Sequence, residues 1–276
     1  MLRAVTATRY VAPLREGGSL PGVVEADDDG LYVVEFRGAG QGPKALVAEV
    51  IAGEVGRTLG LPVPELVGIE VDPALVAGEA DPDIQDLLER SPGLNLGMDF
   101  LPGALPIGNP ETAGIGSEKA ADVVWFDALV SNVDRTPRNP NLLLWHRRLW
   151  LIDHGAALYQ HHAWAGAPAE TAEAARGRFP QIRNHVLLSA AGSVVEADER
   201  LAPTLDGAAI RRIVGLVPAE WFDGLEPFAT SDEHRRAYAA YLDARLAPPR
   251  AWVEEAEVAR SEATQPGATQ PGAAGG

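Results

Sequence analysis

The sequence predicts an α+β protein that begins with an antiparallel sheet carrying one helix and continues into a mostly helical region. Three observations support this prediction. Short apolar segments separated by turns rich in Gly and Asp occupy the chain up to Phe36, a pattern typical of antiparallel strands. Between residues 44 and 59, apolar residues recur three and four positions apart, which predicts an amphipathic helix. Beyond Asp153, segments with helical periodicity predominate.

Composition limits the class of protein that this chain can represent. Its 276 residues are 46% apolar and 22% charged, which is ordinary for a soluble globular protein with ample core. Cysteine is absent, so disulfides and thiolate zinc sites are excluded. No N-terminal signal segment follows Met1 and no apolar run is long enough to cross a bilayer, so we expect a cytoplasmic protein.

Charge narrows the range of partners. The chain carries 39 acidic and 23 basic residues, which gives a net charge of −16. Nucleic acids and anionic lipid surfaces attract basic stripes, and such a surplus of acid disfavours both. We therefore expect neither nucleic acid nor membrane as a partner.

The N-terminal elements follow from local pattern. Strands are predicted over residues 2–11, 23–26, 31–36 and 63–71, with the helix over 44–59 before the last of them. The turn Gly17-Gly18-Ser19 lies between the first two strands, where a flexible loop with free amide groups could cover phosphate groups. The same residues are also common in ordinary hairpin turns.

The middle of the chain leads towards a second group of motifs. A short polar helix is predicted over 81–90, a strand-like segment over 94–103, an irregular Pro- and Gly-rich connection over 104–116, and an amphipathic helix over 118–132. Further helices are predicted over 169–176, 183–191, 207–217, 219–225, 232–246 and 251–262. The tail repeats ATQPG twice and has the composition of a disordered segment.

The strongest chemical pattern lies between residues 125 and 158. Asp134 is followed five residues later by Asn139, and two short apolar segments joined by a polar turn then deliver Asp153-His154-Gly155. An Asp, four residues and an Asn, with an Asp-x-Gly after a strand pair, is the order found in enzymes that transfer phosphoryl groups. Asn139 and Asp153 supply the oxygen ligands that Mg²⁺ prefers, and Asp134 is suited to orient the attacking hydroxyl.

Two other interpretations remain open at this point. Asp and Asn are favoured in turns, so each half of the pattern could be an ordinary loop. The adjacent His161 and His162 follow the motif, and together with Asp153 they would form a metal-hydrolase site, although no further ligand at a familiar spacing accompanies them.

Taken together, these segments resemble the HipA-like kinases, bacterial members of the protein-kinase-like superfamily that are related in plan to type II phosphatidylinositol 4-kinases. The resemblance covers about residues 3–250 and is strongest in TRYVAPLREGGSLPG, RGAGQGPKALVAEVIAGEV, GLPVPELV, LNLGMDFLPG, WFDALVSNVDRTPRNPNLL and LWLIDHGAAL. It implies a bilobal protein-kinase-like fold. We expect a small nucleotide-binding lobe at 1–103, a helical catalytic lobe at 104–250, and a terminal helix with the disordered tail at 251–276.

The resemblance also implies roles for individual residues. Asp134 would be the catalytic aspartate, and Asn139 and Asp153 the Mg²⁺ ligands. The segment around Met98 would form the hinge whose backbone faces the adenine of ATP. The residues expected to contact the phosphates, or to hold the group that does so, are Gly17, Gly18, Ser19, Lys44 and the helix glutamate Glu49, with Glu54 as the less well placed alternative.

One position departs from the family pattern. The third strand of such kinases ends in a lysine that binds the α- and β-phosphates, and here Glu35 stands in its place. A carboxylate there repels phosphate, so either Lys44 supplies the charge or nucleotide binding is weakened. The first prediction is thus an ATP- and Mg²⁺-dependent kinase acting on a hydroxyl, most simply of a protein Ser or Thr and otherwise of a small molecule. The alternative is a catalytically impaired pseudokinase or nucleotide-sensing module.

Overall fold

The computed structural model describes residues 1–14, 20–39, 42–72, 75, 81–108, 114–165 and 168–264. The predicted phosphate loop at Gly17, Gly18 and Ser19 lies outside the described residues, as do the connection around residue 110 and the tail beyond residue 264. Mixed α and β structure confirms the predicted α+β class.

Five strands of the N-terminal region close into a small barrel. In chain order they are β1 (Arg3–Pro13), β2 (Gly22–Ala26), β3 (Leu31–Glu35), β4 (Leu66–Val71) and β5 (Gly93–Asp99). Around the barrel the order is β1, β2, β3, β5 and β4. All neighbours are antiparallel except β1 and β4, which run parallel from Arg3 opposite Val67 to Thr6 opposite Glu70. The predicted antiparallel sheet is therefore wrong in one respect, because a parallel pair closes it.

Apolar side chains fill the barrel. Alternation along the strands turns Val24, Val34 and Ile69 inward, as expected where successive residues face opposite sides of a sheet. Gly97 of β5 allows the strands to approach closely, since a Cβ atom there would lie 2.8 Å from Cγ2 of Val67. Helix α2 (Pro82–Glu89) packs against this barrel core through Ile84, Leu87 and Leu88. Its N-terminus was predictable, because the Asp81 side chain accepts from the Asp83 N–H and Pro82 occupies the first turn.

Helix α1 (Pro43–Thr58) joins the barrel to the rest of the molecule. Its apolar residues Leu46, Val47, Val50, Ile51 and Val55 are buried, as the periodicity predicted. They belong to the larger of the two apolar clusters, which continues through the helical region instead of ending with the barrel. Packing therefore ties α1 to both regions, and the boundary at residue 103 stays a prediction.

The C-terminal region is mostly helical. A small sheet of β6 (Leu105–Pro106), β7 (Leu142–Trp145) and β8 (Arg148–Leu151) accompanies the central helix α3 (Ser117–Leu129). The remaining helices are α4 (Pro168–Ala175), α5 (Val194–Leu201), α6 (Gly207–Val214), α7 (Ser231–Leu246) and α8 (Ala251–Ala263).

Two predicted helices are wrong. Residues 183–191 form short 3₁₀ turns, Pro180–Asn184 and Leu188–Ala190, and residues 219–225 contain only the turn Ala219–Phe222. Two of these turns begin at or next to a proline. Hydrogen bonds to distant segments also fix their structure; for example, the Trp221 indole donates to the Leu94 carbonyl at 3.0 Å. Helix α5 was missed, although its Ser193 side chain caps the Glu196 N–H in the familiar Ser-x-x-Glu arrangement.

Helix length and hydropathy bear on membrane insertion. Among the described residues, every helix is too short or too polar to qualify as a membrane span.

Candidate active site

The loop after α3 brings Asp134 and Asn139 together. The Asn139 Nδ2 donates to Asp134 Oδ2 at 2.7 Å. Backbone bonds close the loop between them, with the Thr136 N–H donating to the carbonyls of Asp134 at 2.9 Å and Asn139 at 3.0 Å. Asn132 then supports its start, because its Oδ1 accepts from the Asp134 N–H at 3.0 Å. The loop therefore presents a carboxylate and an amide on one rim, as the motif predicted.

A buried carboxylate beneath the loop holds it in place. Asp127 of α3 is fully buried and accepts from Asn132 Nδ2 at 2.9 Å, Arg135 Nε at 2.6 Å and His185 Nε2 at 2.9 Å. Burial alone raises the pKa of this carboxyl group, but Arg135 and His185 outweigh burial and hold the pKa well below its usual range. Asp127 is therefore ionised and forms the centre of a hydrogen-bonded hub.

The tautomer of His185 follows from its two neighbours. Its Nδ1 accepts from the Leu187 N–H at 3.1 Å, so Nε2 carries the hydrogen that is donated to Asp127. A neutral imidazole satisfies both contacts. The hub thus links α3 to the segment around residue 185, more than fifty residues away in sequence.

Arg135 connects the loop to the strand pair that carries Asp153. Its Nη1 donates to the Asn141 carbonyl at 2.5 Å and to the Ile152 carbonyl at 3.4 Å. The Ile152 N–H in turn donates to the Asn141 carbonyl at 3.2 Å. The guanidinium is therefore a fixed brace between the two halves of the predicted motif.

A two-residue turn directs the chain back towards the loop. His146 and Arg147 have φ angles of 48° and 62°, which is the type I′ geometry that suits the twist of a β-hairpin. The hairpin predicted between residues 142 and 152 is confirmed as β7 and β8. Asp153 follows it in the left-handed region, with a φ of 53°.

Glu49 of α1 contacts the tripeptide Asp153-His154-Gly155 directly. One carboxylate oxygen accepts from the His154 backbone N–H, and the other lies 2.9 Å from His154 Nδ1. Burial, followed by the charge of Arg135, lowers the pKa of His154 to about 3, so the ring is neutral. Glu54, the alternative helix glutamate, instead forms an ion pair with Arg57 at 3.3 Å.

Three carboxylates meet at this point. The carboxylate oxygens of Glu35, Glu49 and Asp153 all lie within 4.8 Å of one another. Burial, followed by the charge of Asp153, raises the pKa of Glu49 to about 8. Burial and then its two acidic neighbours raise the pKa of Glu35 well above its ordinary value, although part of this side chain still reaches solvent.

Asp153 combines an enclosed position with an open face. Surrounding protein atoms and then the Asp134 charge raise the pKa of its carboxyl group. The residue nevertheless has a solvent-exposed surface. The donor set fits a hard divalent cation, since Mg²⁺ and Mn²⁺ prefer carboxylate oxygens and water. Asn139 also keeps its Oδ1 free of hydrogen bonds within the described part of the chain.

Lys44 and Met98, two of the residues predicted to contact nucleotide, have their observed contacts outside the group of three carboxylates. Lys44 Nζ donates to the His161 carbonyl at 3.0 Å, and burial lowers its pKa. Met98 is buried in β5, where it lies opposite Val33 of β3 and Leu66 of β4. Roles for these residues towards ATP stay predictions.

The histidine pair is engaged within the protein. Nε2 of His161 lies 3.1 Å from Nε2 of His162, and Nδ1 of His161 lies 3.0 Å from the Tyr238 hydroxyl. Among the described residues, the acidic group that contains Asp153 includes neither histidine. The geometry therefore gives no support to a metal-hydrolase site.

Neither Asp127 nor His185 was predicted from the sequence, and Glu35 was predicted only to replace the phosphate-binding lysine. Asp127 had a detectable signal, because it is an acidic residue in a helix whose other neighbours, from Val123 to Val130, are buried and apolar. His185 carried no such signal, since its partner is remote in sequence.

Comparison with known proteins adds a family match. A family model described as "HipA-like kinase" matches residues 8–236. No curated protein sequence matches the chain significantly.

Three solved structures resemble this chain to different degrees. The Helicobacter pylori proinflammatory kinase CtkA superposes with a TM-score of 0.53 at 15% identity, covering 92% of this chain and 97% of CtkA. A Golgi casein kinase gives a TM-score of 0.47 at 12% identity, with 96% and 75% of the two chains covered. A Golgi casein kinase with Mn and ADP bound gives 0.45 at 12% identity, with 91% and 74% covered. The CtkA superposition supports the protein-kinase-like fold.

Proposed function

Since the chain belongs to the HipA-like kinase family, we propose that it transfers the γ-phosphoryl group of ATP to a hydroxyl group. The observation that carries this proposal is the pairing of Asp134 with Asn139 on a loop that Arg135 braces against the strand leading to Asp153. These are the parts that phosphoryl transfer requires, held by bonds that are independent of any ligand.

Asp134 is the proposed catalytic residue. It is half-buried at the rim of the cleft, and the hydrogen bond from Asn139 orients its carboxylate. In the reaction, the acceptor oxygen forms a bond to the γ-phosphorus while the bond to the β–γ bridging oxygen breaks, and the electron pair leaves with ADP. Asp134 orients the acceptor O–H and takes its proton.

Asn139 and Asp153 are the proposed ligands of a divalent cation, which supplies charge neutralisation to the phosphates when bound. Asp153 offers an exposed carboxylate, and Asn139 offers the amide oxygen left free by its bond to Asp134. Arg135 contributes by positioning, because its contacts with the Asn141 and Ile152 carbonyls set the separation of the two ligands.

We place the nucleotide between the proposed lobes at 1–103 and 104–250, with Gly17, Gly18 and Ser19 over the phosphates and the segment after Met98 at the adenine. The acceptor that we propose first is a protein Ser or Thr hydroxyl. A small-molecule hydroxyl is the alternative, and a screen of both acceptor classes with labelled ATP distinguishes them.

The test is a transfer assay on purified protein with γ-labelled ATP and either Mg²⁺ or Mn²⁺. We expect Asp134→Ala to lower turnover at least about 100-fold, the lower end of the usual contribution of a general base, while ATP affinity stays within about threefold. Asp86→Ala is the matched control, because this exposed aspartate lies on α2. Full turnover by Asp134→Ala would refute the role assignment.

A second candidate is a nucleotide-sensing pseudokinase, which Glu35 favours because a carboxylate replaces the phosphate-binding lysine. In that case ATP binds without transfer to the protein itself or to any lysate protein. Glu35→Lys should then tighten ATP binding by about tenfold or more, since a charge-assisted contact replaces a repulsive one. Unchanged affinity would indicate that another cation serves the phosphates.

A further inference from the structure

Glu35 is the residue that the proposed mechanism leaves unused. It ends β3, and its carboxylate lies within 4.8 Å of those of Glu49 and Asp153. Its carboxylate makes no hydrogen bond or ion pair with any described residue. A carboxylate that faces two others without a donor is costly unless it takes up a proton or a cation is present.

No side chain of the described residues supplies that cation. Lys44 is bound to the His161 carbonyl, and Arg135 is bound to Asp127 and to backbone carbonyls. The positive charge that a lysine would provide is therefore missing from the three-carboxylate site formed by Glu35, Glu49 and Asp153.

The three carboxylates differ in how firmly they are held. The His154 backbone and ring fix both oxygens of Glu49, so one ligand position is set in advance. Glu35 extends from a strand that is paired on both sides, with Leu96 opposite it in β5. Asp153 is also the residue that matches the metal-binding aspartate of the family pattern. A preformed set of hard oxygen donors with one solvent-exposed member suits a cation that keeps some water or phosphate ligands.

We propose that Glu35, Glu49 and Asp153 together bind one divalent cation, Mg²⁺ or Mn²⁺, which takes over the charge role of the missing lysine. This inference rests on the proposed function, since it assigns a further task to the same cleft. It goes beyond the pair of ligands expected from the motif, because two of the three ligands come from the barrel strand β3 and from α1. It also predicts that the cation binds in the absence of nucleotide.

The direct test is titration of Mn²⁺ into the nucleotide-free protein, followed by electron paramagnetic resonance of free and bound Mn²⁺ and by calorimetry. We expect one saturable site in the natural sequence. Glu35→Gln keeps the shape of the side chain and removes its charge, and it should weaken Mn²⁺ binding at least about tenfold. Glu70→Gln makes the same change at an exposed position of β4 and should leave binding unchanged.

A second variant guards against a loss of folding. Glu35→Lys places an ammonium group next to Glu49, so it should abolish Mn²⁺ binding without nucleotide while the protein still binds ATP with Mg²⁺. Wild-type affinity for Mn²⁺ in Glu35→Gln, or no binding by the natural sequence, would overturn the inference.

The transfer assay separates this inference from the proposed function. If Asp134-dependent transfer is observed and Glu35→Gln binds Mn²⁺ normally, the three-carboxylate site is refuted and the kinase proposal stands. If Mn²⁺ binding depends on Glu35 but no acceptor is ever phosphorylated, the metal site stands and the kinase proposal fails.

Discussion

Removal of the Asp127 carboxylate is expected to destabilise the protein more than any loss of a surface charge. Asp127 is 0% exposed and Arg135 is 1% exposed, so neither is well solvated. Asp127→Ala would leave the Arg135 guanidinium buried without a counter-charge and would remove the acceptor for Asn132 and His185. We therefore expect the free energy of unfolding to fall by about 3–5 kcal/mol, the usual cost of breaking a buried ion pair.

Urea unfolding measures this effect, and two comparisons make it specific. Arg9 and Glu25 form an ion pair with 67% and 36% of their side chains exposed, so Glu25→Ala should cost no more than about 1 kcal/mol. Arg135→Met removes the charge on the other side of the hub. The double variant Asp127→Ala with Arg135→Met should be less destabilised than the sum of the two single changes by at least about 1 kcal/mol, because neither charge is then left alone.

Two results would contradict this role of Asp127: a loss of unfolding free energy in Asp127→Ala no larger than that in Glu25→Ala, or a loss in the double variant equal to the sum of the two single losses. The conservative change Asp127→Asn tests positioning separately from stability. It keeps the volume and one acceptor but loses the charge that holds Arg135. We expect it to lower the turnover of phosphate transfer by at least about tenfold, measured below its unfolding temperature, with little change in ATP affinity.

Three further predictions concern stability. Burial, followed by His162 and Lys44, lowers the pKa of His161 to about 3, below the value of about 6.5 in the unfolded chain. As the pH drops, the unfolded chain therefore binds the proton before the folded protein does, and the free energy of unfolding should fall between about pH 6.5 and 3. Urea unfolding at several pH values measures this dependence, and His161→Gln should make it less steep. Arg245 is 0% exposed and donates to four backbone carbonyls. Arg245→Met should therefore lower the free energy of unfolding by more than about 3 kcal/mol. Arg245→Lys should recover little of that stability, because its ammonium group lacks the planar fork of the guanidinium. Gly97→Val should lower the free energy of unfolding by about 1–3 kcal/mol, because the larger side chain overpacks the barrel. At Gly108 a new Cβ atom would meet nothing within 4 Å, so Gly108→Ala should leave the thermal unfolding temperature nearly unchanged.

The sequence predicted those parts of the site whose geometry is local. Asp134 and Asn139 are five residues apart in one closed loop, and the hairpin that leads to Asp153 is set by the two residues of its turn. Such features depend on neighbouring residues, so residue spacing and the apolar pattern on either side of a polar turn were sufficient to predict them. The helix bounds of α1 followed from periodicity for the same reason, and the Asp81 side chain that caps α2 is an equally local feature.

The features of the fold and site that the sequence did not predict depend on contacts between distant segments. Closure of the barrel pairs β1 with β4, about sixty residues apart, and alternation along either strand is the same whether the partner runs parallel or antiparallel. The contact between Asp127 and His185 is equally remote. Within residues 183–191, helical periodicity was present, but His185 and Val186 are drawn into bonds with Asp127 and the Arg135 backbone, and 3₁₀ turns result.

Glu49 gives a reason why this site can dispense with the lysine. In the usual kinase arrangement the helix glutamate is positioned by an ion pair with the strand lysine, so helix, strand and phosphates are aligned through that pair. Here both oxygens of Glu49 are already engaged by His154, and α1 is therefore aligned directly with the tripeptide that contains Asp153. Under the proposed function, the position at the end of β3 would be released from that alignment role, and its remaining task would be to provide positive charge near the phosphates. A carboxyl group can meet that need only by binding a cation, so the proposed metal site would give Glu35, beside Glu49 and Asp153, a physical rationale.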